Sequence, residues 1–349
     1  MNFKEIKWAD FEIGKEFLVK NSKAYHKSDL EETKLQGMSY VSRTNMNNGL
    51  ESIVKNDNFN SNKGNTIVFG AENATFFYQP NEYITGNKMY YIEKNSLNKY
   101  SFLFIQMMLN NSIIGCGFGY GKGLTGSRVN KRIIQLPINS KKEPDYAFME
   151  KYMRYLEKEK LLNYHSYIQK RIEKVKIYKE VPALNKKEWD VFFLNEIFPE
   201  IQRGKRLKKE VHIKGQTPYV SSTALNNGID GYIGNQNSVR IFHNCLSLAN
   251  SGSVGATFYQ PFYFIASDHI TKLKNESFNE FIYLFISTIA KRLNEKYSFN
   301  REINDQRIKR EKIVLPIDKK GQPDYDYMEN YIKKIEYNKL IKYIELKNY

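Results

Sequence analysis

The stretch W-D-V-F-F-L-N-E-I-F at residues 189–198 decides the fold, because a related stretch, W-A-D-F-E-I-G-K-E-F, occupies residues 8–17. The segment S-Y-V-S-R-T-N-M-N-N-G-L from Ser39 likewise returns as P-Y-V-S-S-T-A-L-N-N-G-I from Pro218. The tryptophans are 189 − 8 = 181 residues apart, and the Asn-Asn-Gly motifs are 226 − 47 = 179 residues apart. Fixed landmarks with small length changes between them are typical of loop variation on a shared fold. The sequence therefore predicts a duplicated domain and not a solenoid, whose repeats run to roughly 20–50 residues.

The length and composition of the chain indicate a globular, basic protein with two domains. The chain has 349 residues, enough for two domains of the ordinary size of roughly 100–200 residues. Hydrophobic residues make up 41% and charged residues 26%, which is typical of a globular chain and not of a disordered one. The formal net charge of +16 fits a lysine-rich surface of no special function. It fits equally a polyanionic partner, most simply a nucleic acid.

The cysteines and apolar runs predict a cytoplasmic protein. Cys116 and Cys245 occupy non-equivalent positions in the repeats, so we interpret both as reduced, buried thiols. Two cysteines and five histidines provide neither a disulfide framework nor a metal cluster. No apolar run approaches the ~20 residues of a membrane span, and the first residues lack the apolar region of a signal peptide.

Each repeat contains a series of short strands. Residues 8–18 alternate apolar and polar side chains, which indicates a strand or a short helix followed by a strand. Residues 38–42 predict another strand, and the Asn-Asn-Gly motif at residues 47–49 predicts a turn, because Asn and Gly tolerate positive φ. Further short strands, separated by Gly, Asn and Pro, are predicted near Thr66, Thr75 and Met89.

Helices follow the strands in each repeat. Residues 98–109 and residues 279–290 are apolar over a length that favours a buried helix. A segment without Pro or Gly, from Tyr146 to about Lys179, predicts a long amphipathic helix, and residues 325–349 repeat its pattern. Two such helices bury their apolar faces if they pair in antiparallel fashion, with a pseudo-twofold axis relating the two domains.

The sequence contains no convincing catalytic motif. The glycine-rich loop at residues 115–123 lacks the G-x-x-x-x-G-K-[ST] pattern of a phosphate-binding loop, and its counterpart at residues 295–301 contains no glycine. A nuclease-like set of Asp324, Glu345 and Lys347 falls on the terminal helix, where a solvated helical face explains the same residues. We therefore expect no catalytic residue, no metal site and no cofactor in this chain.

Positively charged residues are better candidates for a function. Lys and Arg crowd residues 203–209, a density that suits a track of phosphates, although a solvated lysine-rich loop has the same composition. A second set is duplicated, and Lys122 corresponds to Arg301. Its members are Arg128, Lys131 and Arg132 in the first repeat and Arg307, Lys309, Arg310 and Lys312 in the second. Cations shared by two repeats suggest a twofold-symmetric anion such as duplex DNA.

Other loop residues differ between the repeats. Residues 43–46, R-T-N-M, correspond to residues 222–225, S-T-A-L, and residues 70–73, G-A-E-N, correspond to residues 250–253, N-S-G-S. Two domains that read different bases on a common scaffold need such differences, because each base pair presents its own donor and acceptor pattern. Neutral divergence also produces them.

The order of these motifs resembles that of the specificity subunit of type I restriction–modification systems, and of the related specificity subunits of some type II systems. The first repeat departs from the pattern at residues 69–73 and 84–88, but the resemblance covers nearly all of the chain. In the second repeat the matching segments are residues 189–198, 219–229, 248–255, 264–270, 315–317 and 323–332.

This resemblance implies two α+β target-recognition domains, residues 1–145 and 185–324, each followed by a conserved helical region, residues 146–184 and 325–349. Each domain would read one half of a split DNA site. The helices would set the gap between the halves and dock the partner subunits, to which S-adenosylmethionine and ATP belong. The expected partners are double-stranded DNA, DNA adenine methyltransferase subunits and, where the system contains one, a restriction subunit.

We expect the lysines of both repeats to contact mainly phosphates, and the arginines and serines to contact mainly bases. The predicted DNA-binding residues are Arg43, Lys122, Ser127, Arg128, Arg203, Lys205, Arg206, Lys208, Ser222 and Arg301. The first alternative is a non-catalytic protein–protein interaction scaffold that uses the helix pair and whose positive charge is incidental. The second is a stand-alone nuclease built on Asp324, Glu345 and a divalent metal.

Overall fold

The computed structural model describes residues 6–298 and 300–347, and the chain divides into two compact units, Met1–His165 and Ser166–Tyr349. The helices of the first unit are α1 (Ile13–Glu16), α2 (Lys99–Ile113), α3 (Gly126–Asn130) and the start of α4 (Tyr146–Val175), which continues into the second unit. Its strands are β1 (Trp8–Glu12), β2 (Leu18–Asn21), β3 (Met38–Val41), β4 (Leu50–Val54), β5 (Thr66–Gly70), β6 (Phe76–Gln79), β7 (Tyr83–Thr85), β8 (Met89–Glu93) and β9 (Ile133–Pro137).

The second unit repeats this order of elements. Its helices are α5 (Leu194–Ile197), α6 (Glu280–Ala290), α7 (Asp305–Lys309) and α8 (Tyr325–Lys347). Its strands are β10 (Trp189–Phe193), β11 (Glu200–Arg203), β12 (Lys214–Val220), β13 (Ile229–Ile233), β14 (Ile241–Phe242), β15 (Cys245–Ala249), β16 (Thr257–Gln260), β17 (Phe264–Ala266), β18 (Ile270–Lys274) and β19 (Lys312–Pro316).

Three sheets recur in both units, and one of them has an additional edge strand, β14, in the second unit. The first unit has a four-stranded sheet β2-β8-β5-β6, a three-stranded sheet β4-β3-β7 and a ribbon β1-β9. The second has β11-β18-β15-β16, then β13-β12-β17-β14, and a ribbon β10-β19. Even the ribbon register is shared, because Trp8 lies opposite Pro137 and Trp189 lies opposite Pro316. The predicted tandem duplication of an α+β domain is confirmed.

A central helix packs against the four-stranded sheet in each unit and forms most of the core. In α2, the buried Phe102, Ile105 and Leu109 pack with sheet residues such as Ile67 and Phe76. Asn98 caps this helix by accepting hydrogen bonds from the backbone N–H groups of residues 100 and 101, and Asn279 caps α6 in the same way. The apolar segments at residues 98–109 and 279–290 are therefore buried helices, as predicted.

The Asn-Asn-Gly motif forms the same turn twice. Asn48 has φ 56° and Gly49 φ 78°, and the equivalent Asn227 and Gly228 have φ 54° and 80°. These left-handed conformations cost least for Asn and Gly, which explains why both repeats retain the motif. The turn joins β3 to β4 and β12 to β13, so it fixes the loops at one end of each strand pair.

The long helix α4 ends at Val175, four residues before the predicted end near Lys179. From there the chain follows α8 instead of continuing the helix. The backbone N–H of Lys179 donates to Asn330 Oδ1 at 2.7 Å, and the Tyr327 hydroxyl donates to the carbonyl of Pro182 at 3.0 Å. These bonds to distant side chains replace the last helical turn, and the predicted helix end was wrong for that reason.

Within the second unit, the end of α4 and the segment after it run antiparallel to α8. Arg171 pairs with Glu336, whereas Lys179, further along, bonds Asn330, which lies earlier in α8. Arg171 also reaches Glu280 of α6 with its Nη1 at 2.9 Å. Antiparallel pairing is thus confirmed for this part of the two helices, and the pseudo-twofold axis stays a prediction.

The two cysteines differ in burial. Cys245 is fully buried, and burial raises the pKa of its thiol to about 12, as expected for an inert thiol. Cys116 is partly exposed in the glycine-rich loop, where its sulfur lies 3.2 Å from Nη2 of Arg132. The prediction of a buried thiol was wrong for Cys116, because the loop leaves the core at Gly115 and Gly117, both with positive φ.

Candidate nucleic-acid interface

Each unit has a cleft at the carboxyl end of its parallel strand pair. Tyr40 of β3 lies opposite Ile84 of β7, and Tyr219 of β12 lies opposite Ile265 of β17. The first cleft has a volume of about 670 Å³ and the second about 730 Å³. Both are lined by the strand tyrosine and by the residue three positions beyond the partner strand's central residue, Asn87 or Asp268. Most of the rest of the first lining comes from residues 42–51 and 72–73, whereas most of the rest of the second comes from residues 206–210. The two clefts therefore share one side and differ on the other.

The charges of the first cleft are largely compensated. Arg43 donates to Glu72, and Nζ of Lys88 lies 2.7 Å from the same carboxylate. The hydrogen bond from Lys88 and the charge of Arg43 lower the pKa of Glu72 below its ordinary value. Glu51, also in the lining, has its pKa lowered by hydrogen bonds from Lys27 and from Ser42. This cleft thus offers fixed donors and acceptors more than net charge, a chemistry suited to base edges.

The second cleft is bordered by uncompensated cations. Lys205, Arg206, Lys208 and Lys209 are all exposed, and none of their side chains pairs with a carboxylate in the part of the chain that the structure describes. Three of them line the cleft together with Glu210 and Asp268. Exposed, unpaired cations at this density suit phosphate groups. The two clefts therefore share the strand tyrosine but differ in electrostatic character.

Arg203 has a different environment from its neighbours. It is half-buried in β11, where Nε donates to the carbonyl of Asp268 at 2.5 Å and Nη2 donates to Asn250 Oδ1 at 3.3 Å. It therefore joins two loops that border the second cleft. Ser222, the counterpart of Arg43, is half-buried beside them, and its carbonyl accepts from the N–H of Ser253 at 3.0 Å.

The predicted residues Lys122 and Arg301 occupy equivalent short hairpins. An isolated bridge joins Gly119 to Lys122 in the first unit and Ser298 to Arg301 in the second. Each cation lies over an aromatic ring four residues earlier: Lys122 Nζ is 5.3 Å from the ring centre of Phe118, and Arg301 Cζ is 5.4 Å from that of Tyr297. Nζ of Lys122 also donates to the carbonyl of Cys116 at 2.9 Å.

Ser127 and Arg128 lie together on α3, directly after the first hairpin, and both are exposed. Arg128 donates to the carbonyl of Gly123, five residues earlier. In the second unit Arg307 makes the same contact, with Nη1 donating to the carbonyl of Glu302 at 2.5 Å. Each of these duplicated arginines thus bonds the segment that joins the hairpin to the following helix. The other N–H groups of each guanidinium remain exposed.

The hairpin of each unit is bonded to the loop that follows β5 or β15, and in the first unit this loop also lines the cleft. The N–H of Leu124 donates to the carbonyl of Ala71 at 2.7 Å, and the N–H of Ile303 donates to the carbonyl of Asn250 at 3.0 Å. The structure thus gathers Arg43 with the hairpin group Lys122, Ser127 and Arg128 in the first unit. In the second unit it gathers Arg203, Lys205, Arg206, Lys208, Ser222 and Arg301 around the cleft and its border loops.

Sequence reasoning missed several residues of this surface. Glu72 and Lys88 complete the charge pairs of the first cleft, and Asp268 and His269 line the second. The contrast between G-A-E-N and N-S-G-S at the loop tips did point to Glu72. Lys88 and Asp268 gave no signal of their own, because only the pairing of strands that are distant in sequence brings them to the clefts.

Other functional classes receive little support from the described residues. Asp324 pairs with Lys187 at 2.6 Å and accepts from the N–H of Tyr327 at the start of α8, which accounts for it structurally. Within residues 6–298 and 300–347, no group of three or more His, Cys, Asp and Glu side chains is placed to ligate a metal. None of the helices in those ranges is long and apolar enough to span a bilayer.

The chain belongs to the type I restriction modification DNA specificity domain family, whose model matches residues 5–164 and again residues 186–348. It is accordingly a DNA specificity subunit of the restriction–modification type, the non-catalytic component of such systems. The predicted family and the prediction that the chain is not itself an enzyme are confirmed.

Two relatives illustrate the range of this family. The chain is 29% identical over 310 residues to the type II restriction enzyme specificity subunit S.BcgI of Heyndrickxia coagulans, a match that covers 87% of each chain. It also resembles the crystal structure of the type I restriction-modification S subunit from M. genitalium, with a TM-score of 0.53 and 17% identity. That likeness covers 99% of this chain and 93% of the other, and it shows a shared fold.

Proposed function

We propose that this chain binds a bipartite DNA target, one half-site per domain, and directs a partner adenine methyltransferase to it. The observation that supports the proposal is that each unit has a cleft beside the same strand tyrosine, Tyr40 or Tyr219, and that the rest of each lining is different. A common scaffold places two recognition surfaces alike, whereas different linings let each surface select its own base sequence.

The two domains contribute differently to binding. Arg43, with its carboxylate partner Glu72, is fixed in place and suits recognition of base edges in the first half-site. In the second domain, Lys205, Arg206 and Lys208 supply phosphate contacts. Base contacts come from Arg203, which bonds Asp268 and Asn250, and from Ser222, which bonds Ser253. Lys122, Ser127, Arg128 and Arg301 belong to the hairpin groups and add contacts common to both domains.

The helical regions serve as spacer and docking site in this proposal. The recognition domains are residues 1–145 and 185–324, and the helical regions are residues 146–184 and 325–349. Part of the pairing between these regions is held by the contacts of Arg171 with Glu336. The gap between half-sites would follow from the length of the paired helices, and methyltransferase subunits, with a restriction subunit where one exists, would dock on them.

A salt titration of DNA binding tests the proposal. Anisotropy of a fluorescein-labelled, 40-base-pair duplex of mixed sequence measures the affinity of the purified chain across a series of KCl concentrations. The logarithm of the affinity should fall linearly with the logarithm of the salt concentration, with a slope of about −0.9 for each phosphate contacted. The triple variant Lys205→Ala, Arg206→Ala, Lys208→Ala should reduce the slope by about three.

A matched control removes the same charge elsewhere in the second unit. Lys319, Lys320 and Lys339 are exposed and lie outside the cleft and hairpin, so their replacement by alanine should leave the slope unchanged. Equal effects of the two triple variants would show that only net charge matters and would overturn the cleft assignment. Salt-independent or absent binding by the wild-type chain would favour the protein–protein scaffold instead.

A further inference from the structure

The two hairpins have the same order of side-chain types, although their sequences share no identical residue. The first hairpin reads F-G-Y-G-K at residues 118–122 and the second reads Y-S-F-N-R at residues 297–301, without one identical residue. The order of side-chain types is nevertheless the same: aromatic, small, aromatic, turn-former, cation. The bridges between residues 119 and 122 and between residues 298 and 301 leave two residues at each tip.

The first aromatic residue and the cation hold each hairpin to its domain. Phe118 packs against the core of the first unit, and Tyr297 is buried in the core of the second. Lys122 and Arg301 lie over these rings at nearly equal distances, 5.3 and 5.4 Å. A cation over an aromatic face is stabilising, so the hairpin base is anchored in the same way in both units.

The second aromatic residue of the first hairpin lies free at the tip. Tyr120 is 92% exposed, and among the described residues neither its ring nor its hydroxyl has a hydrogen-bond or ring partner. Gly119 and Gly121 on either side have open space around them. The sequence puts Phe299 at the corresponding position, although its placement lies outside the described residues. An exposed aromatic ring at a glycine-flanked tip contributes nothing to the core and is available to a ligand.

We propose that Tyr120 stacks on a DNA base at an opened base step beside the half-site read by its cleft. This inference rests on the proposed function. The cleft linings differ between the units, whereas the hairpin tips have the same side-chain types. The tips are therefore suited to bind a feature that is present in both DNA half-sites. A base face is such a feature, because every base offers a π surface, and the adjacent cation suits a neighbouring phosphate.

The position of the hairpin supports this role. Its C-terminal side is bonded to the carbonyl of Ala71, next to Glu72 of the first cleft, and the second hairpin is bonded to Asn250 in the equivalent way. A ring at this tip stands beside the cleft and not inside it. Aromatic and apolar side chains that enter a base step open or kink the duplex and bring more protein surface into contact with it.

The test compares variants of the full chain in the anisotropy assay with the same 40-base-pair duplex. Tyr120→Ala should weaken binding about tenfold at every salt concentration without changing the salt slope, because a stacked ring carries no charge. Tyr120→Phe should bind within about twofold of the wild type, because stacking needs the ring and not the hydroxyl. Leu35→Ala, which removes an 82% exposed side chain outside both hairpins and clefts, should change nothing.

A second readout reports stacking directly. Tyr120→Trp should keep the wild-type affinity, and the additional indole fluorescence should be quenched on saturation with DNA, whereas that of Leu35→Trp should not. Equal affinity of Tyr120→Ala and wild type, or an unquenched indole at position 120, would overturn the stacking role while leaving the proposed function intact. Failure of the wild-type chain to bind the duplex at all would overturn both.

Discussion

The Asn-Asn-Gly turn is the same in both repeats because its residues have backbone conformations that few other residues adopt. The two Asn-Asn-Gly turns differ in their neighbours but share positive φ at all three residues. A Cβ added at Gly228 would lie 3.3 Å from a Val220 methyl group, so space as well as conformation restricts this position. The turn sets the ends of β12 and β13, and through them the loop that carries Ser222.

Replacement of Gly228 by alanine should therefore destabilise the second unit. We expect a loss of about 1–2 kcal/mol in the free energy of unfolding, because φ of +80° is a left-handed conformation that alanine adopts only with strain. Gly231→Ala is the matched control, since a Cβ there meets nothing within 4 Å. Urea denaturation of both variants checks this; equal stabilities would contradict the role assigned to the turn.

A buried carboxylate gives the second unit a pH-dependent stability. Burial alone would raise the pKa of Glu311, but hydrogen bonds from Lys296 at 2.8 Å and from the Tyr297 hydroxyl outweigh it and lower the pKa. A lowered pKa in the folded state means that the stabilisation is fully present above the unfolded-state pKa of about 4.3 and is lost as the pH falls from there through the lower pKa of the folded state.

Glu311→Gln should lower the free energy of unfolding by about 1–2 kcal/mol at pH 7 and by progressively less as the pH is lowered below about 4, because Lys296, half exposed, loses its charged partner only where that partner was ionised. Glu302→Gln, at an exposed glutamate without an ion pair among the described residues, is the control and should behave like the wild type. A pH-independent loss in Glu311→Gln would contradict the ion-pair explanation.

At the scale of elements, one arginine connects three helices of the second unit. Arg171 of α4 forms two bonds with Glu336 of α8 and a third contact with Glu280 of α6. Its side chain is only 18% exposed, and these carboxylates raise its pKa further above the ordinary value. Contacts of this kind fix the angle at which the end of α4 lies on α8.

Arg171→Ala should reduce the free energy of unfolding of the second unit by about 2 kcal/mol, between the values typical of exposed and buried ion pairs. Lys176→Ala removes an exposed pair with Glu173 at the end of the same helix and should cost less than about 0.5 kcal/mol. A double-mutant cycle with Glu336→Ala measures the coupling; additive effects of the two substitutions would show that this contact does not hold the helices together.

The elements that could be predicted from the sequence are those with local signals. The buried helices α2 and α6 follow from long apolar runs, and the Asn-Asn-Gly turns follow from the conformational freedom of those residues. The end of α4 could not be predicted, because it depends on a hydrogen bond between distant residues. Asn330 accepts this bond from the backbone N–H of Lys179, which lies 151 residues earlier in the sequence. The charge pairs of the first cleft depend in the same way on Glu72, which is 29 residues from Arg43.

The hairpin tips show a signal that was present in the sequence and overlooked. Comparison of the repeats by identity finds nothing between F-G-Y-G-K and Y-S-F-N-R, whereas comparison by side-chain type finds five matching positions. The predictions for Lys122 and Arg301 used the cation alone. The aromatic residues became informative only when the structure showed one ring packed against each core and the next, Tyr120, exposed.

At the scale of the whole molecule, the two units have kept a common scaffold after the duplication, whereas the residues that line their clefts have diverged. The scaffold, with its sheets, capped helices and Asn-Asn-Gly turns, is common to both units. The cleft linings are individual, compensated in one unit and cationic in the other. Under the proposed function, we expect such a chain to change one half of its recognition site without changing the other, because no residue of one cleft lines the second.

The most direct test of the central claim is a map of adenine methylation in the host's DNA. It is made with the wild-type chain, without the chain, and with the double variant Arg43→Ser, Glu72→Ser, which carries the residues that the second unit has at the equivalent positions, Ser222 and Ser251. We expect a split methylated motif that disappears on deletion of the chain and that changes in one half only in the double variant. Methylation that is unaffected by deletion, or a double variant in which both halves change together, would contradict the central claim.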